Sequence, residues 1–262
     1  MRILVTGAAR AIGRATVVEC EKRGHEVVAT ARDPRLLEDL DCAKSVALDV
    51  KDLDSVRAAI DAAGELDGVV NNAALSGAGP MEDFPLDRFH EVMDTNTYGP
   101  LRVAQQLIPS WRARGSGVFV NVSSVQGRVS TPLEGAYAAS KYALEALSET
   151  LHYELGHFGI RVVIVEPGYI APGMKDAPRH DGPAAYAELW DQWTGTDAKI
   201  TGPGGRPGPE LVGVAIADAL ENPETPLRVP VGSDAEMVLG ARSHFADADF
   251  ESAMRKTLDL TW

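Results

Sequence analysis

Short runs of apolar, largely β-branched residues alternate along the chain with longer amphipathic stretches. The amphipathic stretches, at about 11–23, 33–40, 52–63, 87–113 and 135–156, have the spacing of helices. The apolar runs read RILVT, EVVATA, SVALDV, LDGVVNNA, GVFVNVSS, IRVVIVEPG and LRVPVG. Runs of this length between helical patterns are typical of parallel strands that are buried on both faces. The pattern therefore predicts an α/β fold, a doubly wound parallel sheet of about seven strands with helices on both faces.

One segment, at about 171–209, interrupts this alternation. It is rich in Pro and Gly but carries Tyr186, Trp190 and Trp193 at the spacing of one helical face. Long loops inside a compact domain are usually functional or disordered, and loops at the carboxyl ends of parallel strands surround the ligand crevice. We expect a single domain over 1–262 in which this segment is a lid over a substrate pocket. The alternative is that the aromatic stripe only docks on the domain's own core or on another subunit.

Composition excludes several classes of protein. The chain has 262 residues, a formal net charge of -13 and no block of Lys or Arg, which opposes binding to nucleic acid. No apolar run approaches the roughly 18 residues that span a bilayer, and MRILVTG leaves no room for a signal peptide. Cys20 and Cys42 are too few for a disulfide framework, and the six histidines show no HExxH spacing. We expect a cytoplasmic protein without a metal, a membrane partner or a nucleic-acid partner.

The stretch TGAARAIGR, from Thr6 to Arg14, directly follows the first predicted strand. Glycines in such a turn allow a tight bend, close approach of a pyrophosphate and close helix packing, while the helix N-terminus offers free N–H groups. Gly7 and Gly13 suit the first and third of these roles, and Ala11 stands where the commonest pattern has glycine. The turn predicts a Rossmann-type dinucleotide site. We expect Ala11 to have a negative φ, which tolerates its methyl group.

The second predicted strand indicates which dinucleotide would bind. It ends in ATARD, with Thr30 and Ala31 where an NAD site usually has Asp or Glu. Arg32 follows, and Arg10 lies inside the glycine turn, so two guanidinium groups are available for a 2′-phosphate. NADP is therefore preferred. Asp33 keeps NAD possible, and both arginines could instead be solvated surface charges.

Asp49 closes the third predicted strand, in LDV. Its carboxylate is placed to accept a hydrogen bond from the adenine amino group. It could equally be a helix-entry residue ahead of the stretch KDLDSV.

Tyr137 and Lys141 are four residues apart near the start of a predicted helix, so they share one face. Carbonyl reduction needs a proton donor for the developing alkoxide, and a phenol serves if its pKa is lowered. A neighbouring ammonium favours the phenolate and lowers that pKa. Ser124, at the end of a buried strand, can donate a hydrogen bond to the same substrate oxygen.

Further short motifs accompany this pair at the predicted strand ends. They are NNAA at 71–74, NTYG at 96–99, NVSS at 121–124 and EPGYI at 166–170. Over about 1–171 the chain resembles the short-chain dehydrogenase/reductase family, in its single-domain branch. LRVPVGSDA at 227–235 is similar to the hydroxysteroid and retinol dehydrogenase-like relatives.

The resemblance implies a catalytic tetrad of Asn96, Ser124, Tyr137 and Lys141. In it Tyr137 is the acid/base, Lys141 lowers the pKa of Tyr137 and holds the nicotinamide ribose, and Ser124 orients the carbonyl. Asn96 supports a water that relays protons from Lys141.

The resemblance also implies a set of cofactor contacts. Asn72 would support the central strand and the adenosine ribose, Pro167 and Gly168 would shape the nicotinamide pocket, and Ile170 would offer backbone groups to the carboxamide. The full set is Gly7, Arg10, Ala11, Ile12, Gly13, Arg32, Asp49, Val50, Asn72, Ala73, Tyr137, Lys141, Pro167, Gly168 and Ile170. Ala11, Ala74 and Pro172 depart from the family pattern, and Pro172 offers neither a hydroxyl nor an N–H. None of these departures removes a tetrad residue, so we interpret them as tolerated variation.

These observations predict an NADP(H)-dependent oxidoreductase acting on a carbonyl compound or the corresponding alcohol. A mainly apolar pocket, and hence a steroid-, lipid- or polyketide-like substrate, is expected from the lid aromatics and from Gly77, Gly79, Met81, Gln126, Tyr169 and Met174. By resemblance, the helices at about 87–113 and 135–156 would form a homodimer or homotetramer. An isomerase or dehydratase that retains its nicotinamide and a cofactor-sensing regulator without turnover are the alternatives. The intact tetrad argues against the sensor.

Overall fold

The computed structural model describes residues 1–174, 179–201 and 204–262, with the side chain of Asp197 left out. Residues 175–178 and 202–203, which belong to the expected lid at 171–209, lie outside the described residues.

All seven apolar runs form strands, and within the described residues these make one parallel sheet. The strands are β1 (Arg2–Val5), β2 (Glu26–Ala31), β3 (Lys44–Ala47), β4 (Gly68–Asn71), β5 (Gly117–Val122), β6 (Ile160–Pro167) and β7 (Arg228–Val231). Their order across the sheet is β3-β2-β1-β4-β5-β6-β7, so the chain reverses its direction of travel between β1 and β4. In a doubly wound sheet the ligand crevice lies at the carboxyl ends of the strands beside this reversal.

Helices cover both faces of the sheet, as the alternating pattern predicts. Those of the described residues are α1 (Ala11–Lys22), α2 (Leu53–Ala63), α3 (Leu86–Met93), α4 (Gly99–Arg114), α5 (Gly135–Gly156), α6 (Ala187–Thr194), α7 (Asp197–Thr201), α8 (Glu210–Glu221), α9 (Ser233–His244) and α10 (Asp247–Leu258). On one face α1 and α8 pack on the sheet through Val17, Ile216 and Leu220. On the other face α2, α4 and α5 bury a cluster that includes Trp111 and Phe119. The strands read as continuous apolar runs because both of their faces are covered.

Two predicted helices differ from the structure. The stretch at 33–40 forms only a short 3₁₀ turn, Pro34–Leu37, which Asp33 caps by accepting from the Arg35 amide. The stretch at 87–113 is divided into α3 and α4 by a π-helical turn, Asp94–Tyr98. Gly99 and Pro100 follow this turn, and Pro100 has no N–H to continue the regular hydrogen-bond ladder.

The predicted aromatic stripe forms one packed surface. Trp190 on α6 is 7% exposed and packs with Leu133 and Leu189, and Tyr186 and Trp193 lie against this cluster. The indole N–H of Trp190 donates to the Asp181 carbonyl at 3.1 Å. The stripe therefore docks on the chain's own fold, next to the start of α5.

The backbone at Ala11 corrects the expectation of a negative φ. Arg10 is extended, with φ -161°, and α1 begins at the next residue, so the chain bends sharply at Ala11, whose φ is 46°. This left-handed conformation brings the Cβ of an L-residue too close to the backbone and costs about 1–2 kcal/mol. The departure from glycine at this position therefore carries backbone strain.

Ala11→Gly is expected to raise the free energy of unfolding by about 1 kcal/mol, because glycine adopts a positive φ without a Cβ penalty. Urea unfolding measures this. The matched control is Ala58→Gly at an exposed position of α2, where glycine should lower the free energy of unfolding by up to about 1 kcal/mol. An equal loss of stability in both variants would contradict the strained backbone at Ala11.

Candidate active site

A cavity of about 1240 Å³ crosses the carboxyl ends of the central strands, at the reversal between β1 and β4. Most of the sequence-predicted site residues line it: Gly7, Arg10, Ala11, Ile12, Arg32, Asp49, Val50, Asn72, Ala73, Ser124, Tyr137, Lys141, Pro167, Gly168 and Ile170. Gly13 and Asn96 are not among the lining residues. The fold thus brings together side chains that are more than 160 positions apart in the chain.

The turn between β1 and α1 is held by close contacts that only glycine permits. A Cβ on Gly7 would lie 2.9 Å from the Ala73 Cα, and a Cβ on Gly13 would lie 2.3 Å from the Gly7 carbonyl oxygen. Asn72 Nδ2 donates to the carbonyls of Thr6 and Gly7 at 3.0 and 3.1 Å. Asn72 therefore fixes the turn from the end of β4. Gly13 allows the close contact with Gly7 without lining the cavity itself.

Thr6 is a part of this turn that the sequence analysis passed over. Its hydroxyl oxygen accepts from the amides of Asn72 and Ala73, at 2.9 and 3.0 Å. Its position at the end of β1, inside the quoted glycine motif, was the signal that could have identified it.

Of the three residues expected to discriminate NADP from NAD, the two arginines line the cavity and the aspartate is bonded to a neighbouring arginine. Arg10 and Arg32 are exposed and line the cavity. The Asp33 carboxylate instead accepts from both the amide and the guanidinium of Arg35, with a shortest distance of 2.7 Å, and these bonds lower its pKa. Among the described residues, the acidic group that would mark an NAD site is therefore engaged with a neighbour.

Asp49 lines the cavity, and its Oδ1 accepts from the Lys51 amide at 3.0 Å. The side chain that caps α2 is Asp52, which accepts from the Asp54 amide. The residue at the entry of the helix is therefore Asp52, and not Asp49 as the alternative interpretation had it.

Ser124, Tyr137 and Lys141 meet where β5 ends and α5 begins. A hydrogen bond from Ser124 acts on the Tyr137 phenol and lowers its pKa, but burial has the larger effect and holds the pKa of Tyr137 above its ordinary value. Lys141 Nζ lies 5.7 Å from the centre of the Tyr137 ring and donates to the Val122 carbonyl at 2.7 Å. Burial lowers the pKa of Lys141 to about 8.

The effect of Lys141 on the pKa of the phenol stays a prediction, although Lys141 Nζ lies near the Tyr137 ring. The interaction that lowers the pKa of Tyr137 is the one with Ser124, while the Lys141 ammonium is turned to a backbone carbonyl. Desolvation destabilises the charged forms of both side chains, so the pKa of each is shifted in the direction that favours its neutral form.

Asn96 lies in the π-helical turn between α3 and α4 and is 1% exposed. Its Oδ1 accepts from the Leu75 amide at 2.7 Å, and its Nδ2 donates to the Leu75 carbonyl and to Ser140 Oγ, both at 2.9 Å. Ser140 Oγ in turn donates to the Tyr137 carbonyl at 2.7 Å. The side chain of Asn96 thus joins the chain after β4 to the backbone that carries Tyr137.

Asp234 lies in the quoted stretch LRVPVGSDA, but the sequence analysis gave it no role. It is 6% exposed at the start of α9, and its Oδ2 accepts from the Tyr169 amide at 2.7 Å. A Cβ on Gly168 would meet the same carboxylate at 2.2 Å. Asp234, in the stretch VGSDA, thereby holds the turn after Pro167 against the cavity.

The remaining expectations about the pocket are met in part. Gln126, Tyr169, Met174, Trp190 and Trp193 line the cavity, as do Ala74 and Pro172. Gly77, Gly79 and Met81 do not: the two glycines pack against Ala136 and His180, and Met81 is 48% exposed beside Gly135. Glu134, Arg179 and Arg206 also line the cavity, so charged side chains lie within a lining that is mainly apolar.

A buried charged cluster lies beyond Lys141. Glu145 and Glu166 are 4% and 1% exposed, and Arg228 Nε lies 3.0 Å from Glu145 Oε2 and 3.9 Å from Glu166 Oε1. Burial and the Glu145 carboxylate raise the pKa of Glu166 to about 7, against the lowering effect of Arg128 and Arg228. Glu166 is therefore a partly protonated buried acid near neutral pH.

The described residues show neither a candidate membrane span nor a candidate metal cluster. In these parts of the chain no helix is long and apolar enough to cross a membrane. The same parts contain no group of three or more His, Cys, Asp or Glu side chains arranged to hold a metal ion.

Comparison with known proteins gives a consistent picture. Residues 1–182 match the family model of the short chain dehydrogenases. The oxidoreductase BOA17 of Botryotinia fuckeliana is 30% identical, over 94% of this chain and 94% of its own. A short-chain dehydrogenase from Streptomyces avermitilis has a TM-score of 0.82 and 32% identity, covering 100% of this chain and 98% of its own.

Two solved structures of similar chains contain a dinucleotide. A 3-oxoacyl-[acyl-carrier protein] reductase from Brucella melitensis with bound NAD has a TM-score of 0.72 and 31% identity, over 88% of both chains. A gluconate 5-dehydrogenase from Burkholderia cenocepacia, in complex with NADP and tartrate, has a TM-score of 0.75 and 26% identity, over 90% of this chain and 95% of its own. Proteins of this fold thus bind either dinucleotide.

Glu166→Gln is expected to change stability in a pH-dependent way. The pKa of Glu166 is raised from about 4.5 to about 7 on folding, so the proton stabilises the folded state at low pH, and this stabilisation is lost as the pH rises through 7. Glutamine resembles the protonated acid at every pH. The free energy of unfolding of the variant, relative to the wild type, should therefore rise by about 3 kcal/mol between pH 4.5 and pH 8.5.

Urea unfolding at the two pH values measures this difference. Glu154→Gln, at an exposed position of α5, is the matched control and should show no such change with pH. A pH-independent difference for Glu166→Gln would rule out the raised pKa.

Proposed function

The chain belongs to the short-chain dehydrogenase family, and on that premise we propose that it is an NADP(H)-dependent oxidoreductase that interconverts a carbonyl compound and its alcohol. The observation that carries this proposal is the meeting of Ser124, Tyr137 and Lys141 at one wall of the cavity, across from the glycine turn. The family and the oxidoreductase activity are shown by the comparisons. The substrate class, the preference for NADP and the residue roles are our inference.

The residues of the turn fit a dinucleotide. Gly7 and Gly13 bring the backbone into close contact with the start of α1, and no side chain of the described residues caps the first turn of that helix. The N–H groups of this turn are therefore available to a pyrophosphate. Arg10 and Arg32 would hold a 2′-phosphate, and the engagement of Asp33 with Arg35 supports NADP over NAD.

At the other end of the cavity, Pro167, Gly168 and the backbone of Ile170 would border the nicotinamide. The bound nicotinamide supplies or accepts the hydride. Tyr137 would supply the proton to the developing alkoxide: burial raises the pKa of the phenol, and the hydrogen bond with Ser124 counteracts this and so favours the transfer. Ser124 would donate a hydrogen bond to the same oxygen, and Lys141 would hold the nicotinamide ribose.

We propose that the segment at about 171–209, after β6, forms a lid over the substrate. Trp190 and Trp193 line the cavity on one side and pack toward Leu133 on the other. Their rings suit the apolar body of a lipid-, steroid- or polyketide-like substrate. A homodimer or homotetramer remains a prediction drawn from the family resemblance, and a cytoplasmic location remains one drawn from the composition of the sequence.

Purified protein with NADPH or NADH and a panel of ketones and aldehydes, followed by absorbance, tests the proposal. Oxidation of NADPH by at least one carbonyl compound is the expected result. Binding of NADPH without its oxidation by any of them, and without reduction of NADP by the alcohols, would indicate a cofactor-sensing regulator instead.

Tyr137→Phe is expected to lower kcat by at least about 100-fold, because the general acid is lost, while the Kd for NADPH stays within about threefold. Steady-state kinetics and fluorescence titration measure the two effects. Tyr153→Phe, at a position of α5 that is 76% exposed, is the control and should behave as the wild type. Unchanged turnover in Tyr137→Phe would refute the assigned acid.

Arg32→Asp is expected to lower the ratio of kcat/KM with NADPH to kcat/KM with NADH by at least about tenfold, because a charge-assisted bond to the phosphate is replaced by repulsion. Arg57→Asp makes the same charge change at an exposed position of α2 outside the cavity lining. It should leave the ratio unchanged. An unaltered ratio in Arg32→Asp would place the phosphate elsewhere.

A further inference from the structure

Glu134 places a carboxyl group in the cavity next to the proposed proton donor. It directly precedes α5, three residues before Tyr137, and lines the cavity together with it. A spacing of three residues at the start of a helix places the two side chains at neighbouring positions of this cavity wall. A ligand group that meets Glu134 therefore lies near the substrate oxygen that Tyr137 serves.

The Glu134 carboxyl has no partner in the described part of the chain. Its position before α5 would suit a helix cap, but its side chain makes no capping bond, and no hydrogen bond or ion pair to it occurs among these residues. Burial raises the pKa of Glu134 to about 7. The carboxyl group is thus half-buried in the cavity wall without a charge partner among the described residues.

The cations that line the same cavity are engaged elsewhere or lie at its dinucleotide end. Lys141 donates to the Val122 carbonyl, and Arg179 pairs with Asp181 and stacks 3.9 Å from the centre of the Trp190 ring. Arg206 lies 5.1 Å from the centre of the Tyr169 ring. None of these contacts neutralises Glu134.

An apolar substrate group placed against this carboxylate would remove its remaining water and leave a buried charge without a partner, which is costly. A cationic nitrogen placed there would supply the missing charge and the missing hydrogen bond together. An uncharged hydroxyl would supply only the bond.

We propose that Glu134 is a specificity-determining residue that binds a protonated amine close to the reacting carbon, so that the substrate is an amino ketone or the corresponding amino alcohol. This inference rests on the proposed function, and it adds one polar anchor to a substrate body that Trp190 and Trp193 accept as apolar. It names the charge of the substrate, which the family alone leaves open.

Three alcohols that share one skeleton test the proposal: 2-amino-1-phenylethanol, 1-phenyl-1,2-ethanediol and 1-phenylethanol. Binding to the enzyme saturated with NADPH, which cannot oxidise an alcohol, is measured by calorimetry, with quenching of tryptophan fluorescence as a second readout, because Trp190 and Trp193 line the cavity. The wild type is expected to bind the amino alcohol at least about tenfold more tightly than 1-phenylethanol, with the diol between them.

Glu134→Gln keeps the shape and removes the charge. It is expected to reduce the preference for the amino alcohol to less than about threefold while leaving the Kd for 1-phenylethanol and for NADP unchanged. Glu134→Asp should retain part of the preference, and it keeps the test decisive if the glutamine variant does not fold. Glu154→Gln, an exposed change on the same helix, should match the wild type.

Equal binding of the three alcohols by the wild type, no binding of the amino alcohol, or an equal weakening of all three in Glu134→Gln would each overturn the assignment. Because binding is measured without turnover, such a result leaves the proposed oxidoreductase reaction intact. Conversely, a charge-dependent preference without any hydride transfer to NADP would refute the proposed reaction and leave the amine site standing.

Discussion

The contact between the β1–α1 turn and the end of β4 is the constraint on which the rest of the site depends. At this point the sheet reverses its order, and the side chains of Thr6 and Asn72 join the two strand ends by hydrogen bonds. Only glycine fits at residues 7 and 13, because a Cβ at either would overlap backbone atoms. A rigid, closely approached turn leaves the first amides of α1 facing the cavity, where they can serve a ligand instead of a neighbouring side chain.

Burial dominates the electrostatics at the opposite wall of the cavity. The pKa values of Tyr137, Lys141 and Glu134 all move toward the neutral form, and in each case desolvation is the largest cause. Groups in this state are sensitive to any charge that a ligand brings, since a single ion in a dry cavity interacts far more strongly than in water. The site is thus prepared to respond to bound molecules through ionisation as well as through shape.

The order and type of the strands were predictable because β-branched runs between amphipathic stretches have few alternative folds. Most of the predicted site residues do line the cavity, since motifs at strand ends converge on one edge of a parallel sheet. The sign of φ at Ala11 was not, because it depends on how sharply the chain turns from Arg10 into α1. The π-helical turn at Asp94–Tyr98 interrupts a continuous helical pattern, and within it Thr97 Oγ1 donates to the Ser140 carbonyl of α5.

Residues to which no sequence motif assigned a role were the hardest to predict. Asp234 and Glu134 are ordinary acidic residues in sequence, and their importance comes from what surrounds them: the turn at Gly168 in one case and the cavity in the other. Gly77 and Gly79 were predicted to line the pocket, and this prediction is wrong. The structure uses both positions for close packing.

Helix α5 connects these features along one face. Glu134, Tyr137, Lys141 and Glu145 follow one another at spacings of three or four residues, which aligns them on the helix. The Glu145 carboxylate raises the pKa of Lys141 and so counteracts part of the effect of burial, which keeps more of the lysine charged near pH 8. Glu145 is itself held by Arg228 of β7, at 3.0 Å. The charge of the proposed ribose-binding lysine therefore depends on a strand at the edge of the sheet, and β7 has a part in the electrostatics of the site although Arg228 does not line the cavity.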